Sequence, residues 1–381
     1  METYISEIYQ RFDLTPNGFL PLKPIRPLKS NLEWELVMTT LSDKKSEPGF
    51  RNNIESLPDF NLTTLTKQKH YRRAYLVLSM LANVYVLGHQ PISQSIPKKI
   101  AQPLCLVSEY LGINPIMTHA ALDLYNWDLI DESKHIELDN LKNINLITGT
   151  EDEEHFYLVM TAIEKVGGSI INHILKILFE FSNEKEKSIE LIRDQLVNIN
   201  LDLQVIISII RRMPEKCRPE VFFNVLRPFL KGWDKNEDIP NGMTYEGVST
   251  EPKFYCGESA AQSSLFQVLD SALNINHQNS YFDSIQNYMP GKHREFVNYI
   301  KQNINLEAIS KQLNLDSEYK ECIKSLVLFR SIHLSIVHKY ILQQVQNHNQ
   351  NVDTHKILGT GGTPLVEFLN ETITESNKNR F

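Results

Sequence analysis

A histidine and an arginine lie one turn apart in a segment that is otherwise largely apolar, LVLFRSIHLSIVHKYI at residues 326–341. Such a pattern predicts a buried helix. At 3.6 residues per turn, Arg330 and His333 share one face, whereas His338 lies about 140° around the axis from His333. The same face carries apolar and aromatic side chains: Phe329, Ile336, Val337 and Tyr340. An imidazole on a rigid helix, an apolar slot and a cation for carboxylates are what a haem requires. The alternative is a core histidine whose ring is satisfied by a neighbouring carbonyl group.

The segment PEVFFNVLRPFLKGW, residues 219–233, places aromatic side chains beside a cation. On a helix, Phe223 and Arg227 would share a face, and Phe222 lies next to them in the chain. A guanidinium can bind a carboxylate in bidentate fashion, so this pair suits an aromatic amino acid as ligand. The alternative is an aromatic stripe that packs the core while Arg227 extends towards solvent.

Two glycine-containing turns could also line a ligand site. The first, GESAA at residues 257–261, approximates the G-x-S-x-G turn of serine hydrolases, with Ser259 as nucleophile and with Asp283 and His333 later in the chain. That interpretation requires a parallel sheet, for which strand signals are lacking; otherwise Ser259 could hydrogen-bond a ligand. The second turn, GTGGT at residues 359–363, lacks the lysine of a phosphate-binding loop. It follows a polar stretch, residues 343–356, which predicts an exposed mobile loop and a lid.

The elements that carry these residues are predicted to be mainly helical. Prolines punctuate the first third of the chain, which indicates short elements joined by extended segments. From Glu153 onward, apolar residues recur at three- and four-residue spacing, as expected for long packed helices. We therefore predict a smaller N-terminal α-rich domain, residues 1–145, and a large all-helical domain, residues 146–381.

Composition excludes several other classes of protein. The 381 residues include 39 Lys and Arg against 46 Asp and Glu, a net charge of −7 that disfavours a nucleic-acid partner. The short basic runs at residues 67–73 and 211–218 are interpreted as helix surfaces. The four cysteines have no C-x-x-C spacing, which argues against a thiolate metal site and favours a reducing compartment. No secretory signal or membrane span is recognised, so a cytoplasmic protein is expected.

Taken together, these segments resemble the indoleamine 2,3-dioxygenase family of haem proteins. The similarity covers most of the chain in the order of the family. It rests on NPIMTHAALDLYNW (114–127), residues 219–233, GESAAQSSLFQVLD (257–270), YMPGKHREF (288–296), RSIHLSIVHKYI (330–341) and GTGGTPLVEFL (359–369), with GFLPLKPIRPL and LPDF near the N-terminus. The resemblance implies a small domain over a large helical domain that binds haem b, with the distal pocket at their boundary.

The resemblance also implies a role for each site residue. His333 corresponds to the proximal iron ligand, Arg330 to a contact of the haem propionate, and Asp270 to an acidic position that supports haem binding near that arginine. Arg227 corresponds to the residue that binds the substrate carboxylate. The other substrate-binding positions are Phe222, Phe223, Ser259, Ala260 and Thr360, with Thr360 on a mobile loop that closes over the substrate.

The implied chemistry is insertion of both atoms of O₂ across the C2–C3 bond of L-tryptophan, or of a close indole analogue, by ferrous haem. N-formylkynurenine is the expected product, an unidentified electron donor keeps the iron reduced, and a monomer is expected. Three positions depart from the vertebrate enzymes: His119 replaces a distal-pocket tyrosine, Met160 a serine, and Glu258 a glycine. A distal His119 could hydrogen-bond the indole N–H or the bound oxygen, which makes it a candidate catalytic residue. A different indole oxidation, as in the pyrrolnitrin-pathway relatives, and a haem-bound sensor without turnover remain alternatives.

Overall fold

The computed structural model describes residues 1–182, 188–279, 281–348, 353 and 356–378, and within these the fold is mainly α, as predicted. The first 150 residues contain six α-helices: α1 (Glu2–Phe12), α2 (Leu32–Thr39), α3 (Leu41–Lys44), α4 (Phe50–Ser56), α5 (Gln68–Leu87) and α6 (Lys98–Leu111). The later α-helices are α7 (Glu151–Phe181), α8 (Ile189–Ile210), α9 (Pro219–Val221), α10 (Ser264–Ala272), α11 (Tyr281–Ile285), α12 (Gly291–Asn303), α13 (Leu306–Leu313), α14 (Asp316–Val337), α15 (Gln343–His348) and α16 (Leu365–Lys378). The described ranges also contain three π-helical segments, Ala120–Leu124, Phe222–Leu226 and His338–Leu342, which all occur in or beside the segments that carry the predicted site residues.

The β structure of the described ranges consists of two-stranded pairings. Strand β1 (Ser95–Ile96) pairs in parallel with β4 (Thr244–Tyr245), and β2 (Trp127–Leu129) pairs antiparallel with β3 (Leu141–Asn143). None of the helices in these ranges combines the length and apolar character needed to cross a bilayer. The paired strands are too short to form a layer, so the core is built by helix packing.

The longest helices form the frame of the second half. Thr150 is the N-cap of helix α7, and its side chain accepts a hydrogen bond from the backbone N–H of Glu153. Ser188 caps the N-terminus of α8 in the same way. Helix α8 packs against both α7 and α14, and α14 also packs against α16. Residues of both halves of the chain belong to one continuous hydrophobic core. The division at residue 145 stays a prediction.

Helix α5 corrects two expectations for the first third of the chain. It is a 20-residue helix, although the prolines predicted short elements, and its residues from Arg72 to Val86 are all buried. Arg72 and Arg73 are therefore not on a helix surface: Arg72 pairs with Asp13, and Arg73 makes a buried ion pair with Glu35. A charged residue can enter the core when a carboxylate from another element pairs with it, and the local pattern does not reveal that partner.

Two further expectations differ from the structure. Pro103 lies inside α6, which packs against α5, so this proline does not separate two short elements. Residues 343–348, predicted as loop, form α15 and are mostly exposed. Of the predicted mobile stretch, residues 349–352, 354 and 355 lie outside the described residues.

Candidate active site

A large cavity lies between α7, α14, α16 and the irregular segments that connect them. About 1490 Å³ between its walls is free of protein atoms, and part of this space is open to solvent. Its walls are largely apolar and include Phe156, Met160, Phe222, Phe266, Phe329, Ile336, Val337, Tyr340 and Phe368. Its polar side chains include Arg227, Glu258, Ser259, Gln267, Asp270, Arg330, His333, Thr360, Thr363 and Thr372. An apolar cavity with few convergent polar groups is typical of a ligand-binding site.

His333 reaches this cavity from α14, on the helix face that the spacing predicts. Its ring stacks on Phe329, with centroids 6.4 Å apart, and neither ring nitrogen has a hydrogen-bond partner among the described residues. Burial and the positive charge of Arg330 lower the pKa of His333 to about 4. The imidazole is therefore neutral at ordinary pH, and its lone pair is available to a metal.

Arg330 is held by a buried network that joins α14, α10 and α16. Its Nη2 lies 2.6 and 2.7 Å from the two carboxylate oxygens of Asp270, and its Nη1 donates to Thr372 O and Ser376 Oγ. His277 Nε2 lies 2.8 Å from Asp270 Oδ2, and its Nδ1 lies 2.6 Å from a Glu375 carboxylate oxygen. Burial alone would raise the pKa of Asp270, but Arg330 and His277 outweigh it and lower that pKa. This network holds the Arg330 guanidinium in one position at the cavity wall.

Arg227 presents a cation that has no carboxylate partner among the described residues. Its Nη2 donates to Leu358 O at 2.9 Å, while its buried Nε has no hydrogen-bond partner in the same part of the chain. Burial lowers the pKa of the guanidinium, since desolvation disfavours the charged form. Phe222 lines the cavity, but Phe223 does not: its ring lies 5.5 Å from the Arg227 guanidinium and 5.8 Å from the His348 ring. The predicted helix is here a π-helical segment followed by a 3₁₀ turn at Arg227–Leu230.

The turns at residues 257–261 and 359–363 form a second wall and are held together by backbone contacts. Gly257 N donates to Thr360 O at 3.0 Å, and Thr360 Oγ1 donates to Glu258 O. A Cβ at Gly257 would lie 2.1 Å from Leu230 O, so only glycine allows this close approach. Ser259, Ala260 and Thr360 all line the cavity, and their roles in binding a substrate stay predictions.

Ser259 has none of the environment of a hydrolase nucleophile. Its Oγ accepts a hydrogen bond from Ala261 N at 3.3 Å, and no histidine hydrogen-bonds to it in the described parts of the chain. The turn precedes a 3₁₀ helix, Ala260–Gln262, and the described strands form no parallel sheet beneath it. The geometry therefore favours a wall residue over a nucleophile.

His119 is not brought to the cavity wall; it lies behind it, 1% exposed. Its Nδ1 lies 2.7 Å from Asp123 Oδ2 and its Nε2 lies 2.9 Å from Glu164 Oε1. Burial would lower the pKa of His119, but these carboxylates outweigh it and raise that pKa well above the ordinary value. Glu258, which does line the cavity, stands next to this group: one ligand atom each of His119, Asp123 and Glu258 lie within 4.8 Å of one another.

Several residues of the site escaped the sequence analysis. Asp123 follows His119 by four residues, a spacing that places both on one helix face and could have been recognised. Glu164 and Glu375 are 45 and 98 residues from their partners, and only packing of distant helices brings them there. His277 follows Asp270 by seven residues and meets it because the chain after α10 turns back, a turn that the helical spacing did not predict.

The residues present fit a haem. Haem requires a neutral imidazole for the iron, an apolar slot for the macrocycle and a cation near its carboxylates. The unpaired ring of His333, the aromatic walls and the buried Arg330 supply these three features in one cavity. Arg227 remains free for a second anionic group.

Comparison with known proteins points to one family. The family model described as indoleamine 2,3-dioxygenase matches residues 8–379. Indoleamine 2,3-dioxygenase of Saccharomyces cerevisiae is 31% identical over an alignment covering 97% of this chain and 93% of the yeast protein. Indoleamine 2,3-dioxygenase nanC of Aspergillus nanangensis is 34% identical, covering 93% of both chains. A protein of Fusarium equiseti named 6-hydroxytryptophan 2,3-dioxygenase fscD is 31% identical, covering 92% of both.

Proposed function

Because the chain belongs to the indoleamine 2,3-dioxygenase family, whose members are haem-dependent oxidoreductases, we propose that it opens the indole ring of L-tryptophan. The reaction inserts both atoms of O₂ across the C2–C3 bond, which breaks, and each carbon becomes a carbonyl of N-formylkynurenine. A close indole analogue is the alternative substrate. The proposed cofactor is haem b in its ferrous state, kept reduced by an external electron donor, in a monomeric cytoplasmic protein.

The observation that carries this proposal is that the Arg227 guanidinium, in the cavity that also holds His333, has no carboxylate partner among the described residues. A buried cation without an anion is costly, and an amino-acid carboxylate would satisfy its free Nε–H. Phe222 lies in the same wall, with its ring 4.9 Å from that of Phe156, and offers an aromatic surface for an indole. The site therefore suits a ligand with a carboxylate and a flat apolar ring.

The residues that line the cavity would have different roles in binding haem and substrate. His333 would hold the iron, and Arg330, fixed by Asp270, would contact a propionate. Arg227 would bind the substrate carboxylate, and Phe222 would contact the indole ring, with Phe223 supporting the guanidinium of Arg227 from behind. Ser259, Ala260 and Thr360 would close the side of the pocket and exclude water.

When bound, haem supplies an iron that activates O₂, and the protein supplies binding and orientation. Fixing the substrate by its carboxylate and ring holds the C2–C3 bond in one place, which lowers the entropic cost of reaction. The apolar walls keep water from the reacting atoms. No side chain has to remove a proton from carbon, which agrees with a cavity whose acidic wall residues in the described chain are Asp270 and Glu258.

Mass spectrometry of the products tests the proposal. Haem-loaded, reduced protein is mixed with L-tryptophan under ¹⁸O₂, and a product heavier by two labelled oxygen atoms is expected. A parallel reaction with 6-hydroxy-L-tryptophan tests the analogue, since one relative is named for that substrate. A rearranged indole would support the different oxidation, whereas a change in the haem spectrum without product would support a sensor.

A further inference from the structure

The two acidic side chains that line the cavity in the described chain differ in their surroundings. Asp270 is fully engaged, since Arg330 and His277 donate to its oxygens. Glu258 is 5% exposed, and neither of its carboxyl oxygens has a hydrogen-bond partner or an ion pair within the described ranges. Desolvation of a carboxyl group without a hydrogen-bond partner is unfavourable, so this group is available to a donor on a ligand.

Glu258 is held firmly in place. Its N–H donates to Leu230 O at 3.1 Å, and its carbonyl oxygen accepts from Thr360 Oγ1. The preceding Gly257 packs closely against the backbone at Leu230. The side-chain amide of Gln262 donates to Gly257 O and accepts from the backbone N–H of His119, so it links the two segments. A rigid backbone and a buried side chain keep the carboxyl group at one point of the cavity wall.

The chemistry of an indole matches this group. The ring has one polar atom, an N–H that donates and cannot accept. The cavity cations, Arg227 and Arg330, are donors only and cannot pair with it. An N–H enclosed by apolar walls without an acceptor is desolvated at a cost, as the unpaired carboxyl group is. One hydrogen bond between the N–H and the carboxyl group offsets both desolvation costs.

We propose that Glu258 accepts the hydrogen bond of the substrate indole N–H and so determines the orientation of the ring; this rests on the proposed function. Glu258 then accepts the indole N–H hydrogen bond that the sequence predicted for His119, which lies behind the cavity wall. Burial and Asp123 raise the pKa of Glu258 to about 8, so near neutral pH the acceptor is the carbonyl oxygen of an acid that is mostly protonated.

A metal ion is a weaker explanation of the same cluster. The candidate ligands would be His119, Asp123 and Glu258. Both ring nitrogens of His119 already face carboxylate oxygens, at 2.7 and 2.9 Å, and its raised pKa makes it an imidazolium without a lone pair. Elemental analysis of the purified protein checks this: a stoichiometric divalent ion beyond the haem iron, lost in Glu258→Met, would overturn the proposal.

The test is a binding cycle with two ligands and the haem-loaded protein. One ligand is L-tryptophan, and the other is 3-(3-benzothienyl)-L-alanine, in which sulfur replaces the N–H while the carboxylate, ammonium and ring shape are kept. Dissociation constants are taken from ligand-induced changes in the haem absorption spectrum, so turnover is not needed. In the wild type, tryptophan should bind roughly 10-fold or more tightly than the analogue.

Three variants complete the cycle. Glu258→Met removes the acceptor at similar length and should bring the ratio of the two dissociation constants close to one. Glu258→Gly, the residue of the vertebrate enzymes, should do the same. Glu258→Gln keeps a carbonyl acceptor and should preserve most of the preference. Glu220→Met, at an exposed position on α9, is the matched control and should leave the ratio unchanged.

The outcomes separate this inference from the proposed function. If tryptophan binds but its preference over the analogue is absent in the wild type or survives in Glu258→Met and Glu258→Gly, the N–H assignment is wrong and the proposed function stands. Equal weakening of both ligands would show that Glu258 pairs with the ammonium group instead, which also overturns the assignment. If neither ligand perturbs the wild-type spectrum, the proposed function fails together with the inference.

Discussion

The ion pair of Arg330 and Asp270 should contribute far more to stability than an exposed pair of the same kind. Asp270→Asn removes the charge with little change in shape and leaves a guanidinium that is 10% exposed facing a neutral amide. Breaking one partner of a buried pair costs about 3–5 kcal/mol; since an amide oxygen can still accept one hydrogen bond, we expect about 3 kcal/mol. That corresponds to roughly a 100-fold change in the unfolding constant.

Asp128→Asn is the matched control. Asp128 accepts from Arg26 at 2.6 Å, the same distance as between Asp270 and Arg330, but the Arg26 side chain is 55% exposed. Water can solvate a guanidinium there, so the expected cost is below about 1 kcal/mol. The two variants thus compare one substitution at one distance, but the arginine is buried only beside Asp270, which also pairs with His277.

Urea unfolding followed by circular dichroism and fluorescence measures both costs, on haem-free protein so that cofactor binding adds no stabilisation. Adding Arg330→Gln to Asp270→Asn should cost much less than Arg330→Gln alone, because the two residues act as a pair. The pKa of Asp270 is lowered in the folded state, so its contribution is present above the unfolded value of about 3.9 and is lost as the pH falls through the lower folded value. The reasoning is refuted if Asp270→Asn and Asp128→Asn cost the same.

Three further perturbations test other parts of the site. Arg227→Gln should weaken L-tryptophan binding roughly 10- to 100-fold in the haem spectrum while leaving tryptamine, which lacks the carboxylate, nearly unchanged; equal losses would contradict the carboxylate contact. Burial alone would lower the pKa of His277, but Asp270 and Glu375 together outweigh it and raise that pKa, so the stabilisation is complete below about pH 6.5 and is lost as the pH rises through the folded value. The difference in unfolding free energy between wild type and His277→Gln should therefore be larger at pH 6 than at pH 9, and a difference independent of pH would count against the ion pair. A Cβ at Gly361 would lie 2.2 Å from Tyr281 Oη, so Gly361→Ala should weaken ligand binding and added Tyr281→Phe should restore part of it; no restoration would locate the clash elsewhere.

The sequence by itself determined those features that depend on position along one helix. Because side chains three and four residues apart share a face, the spacing in α14 was sufficient to predict that His333, Arg330 and Phe329 meet one cavity. The mainly helical fold follows in the same way from apolar residues repeating at helical spacing. The ordered blocks identified the family, which the family model confirms over residues 8–379.

Only the tertiary structure decided which groups meet across the chain. His277 and Glu375 are 98 residues apart, and Glu164, which contacts Nε2 of His119, belongs to α7. Phe223 and His119 were expected in the pocket, yet one packs behind Arg227 and the other behind Glu258. Helical periodicity predicts which face of its own helix a side chain lies on. The packing of distant helices determines what that face contacts.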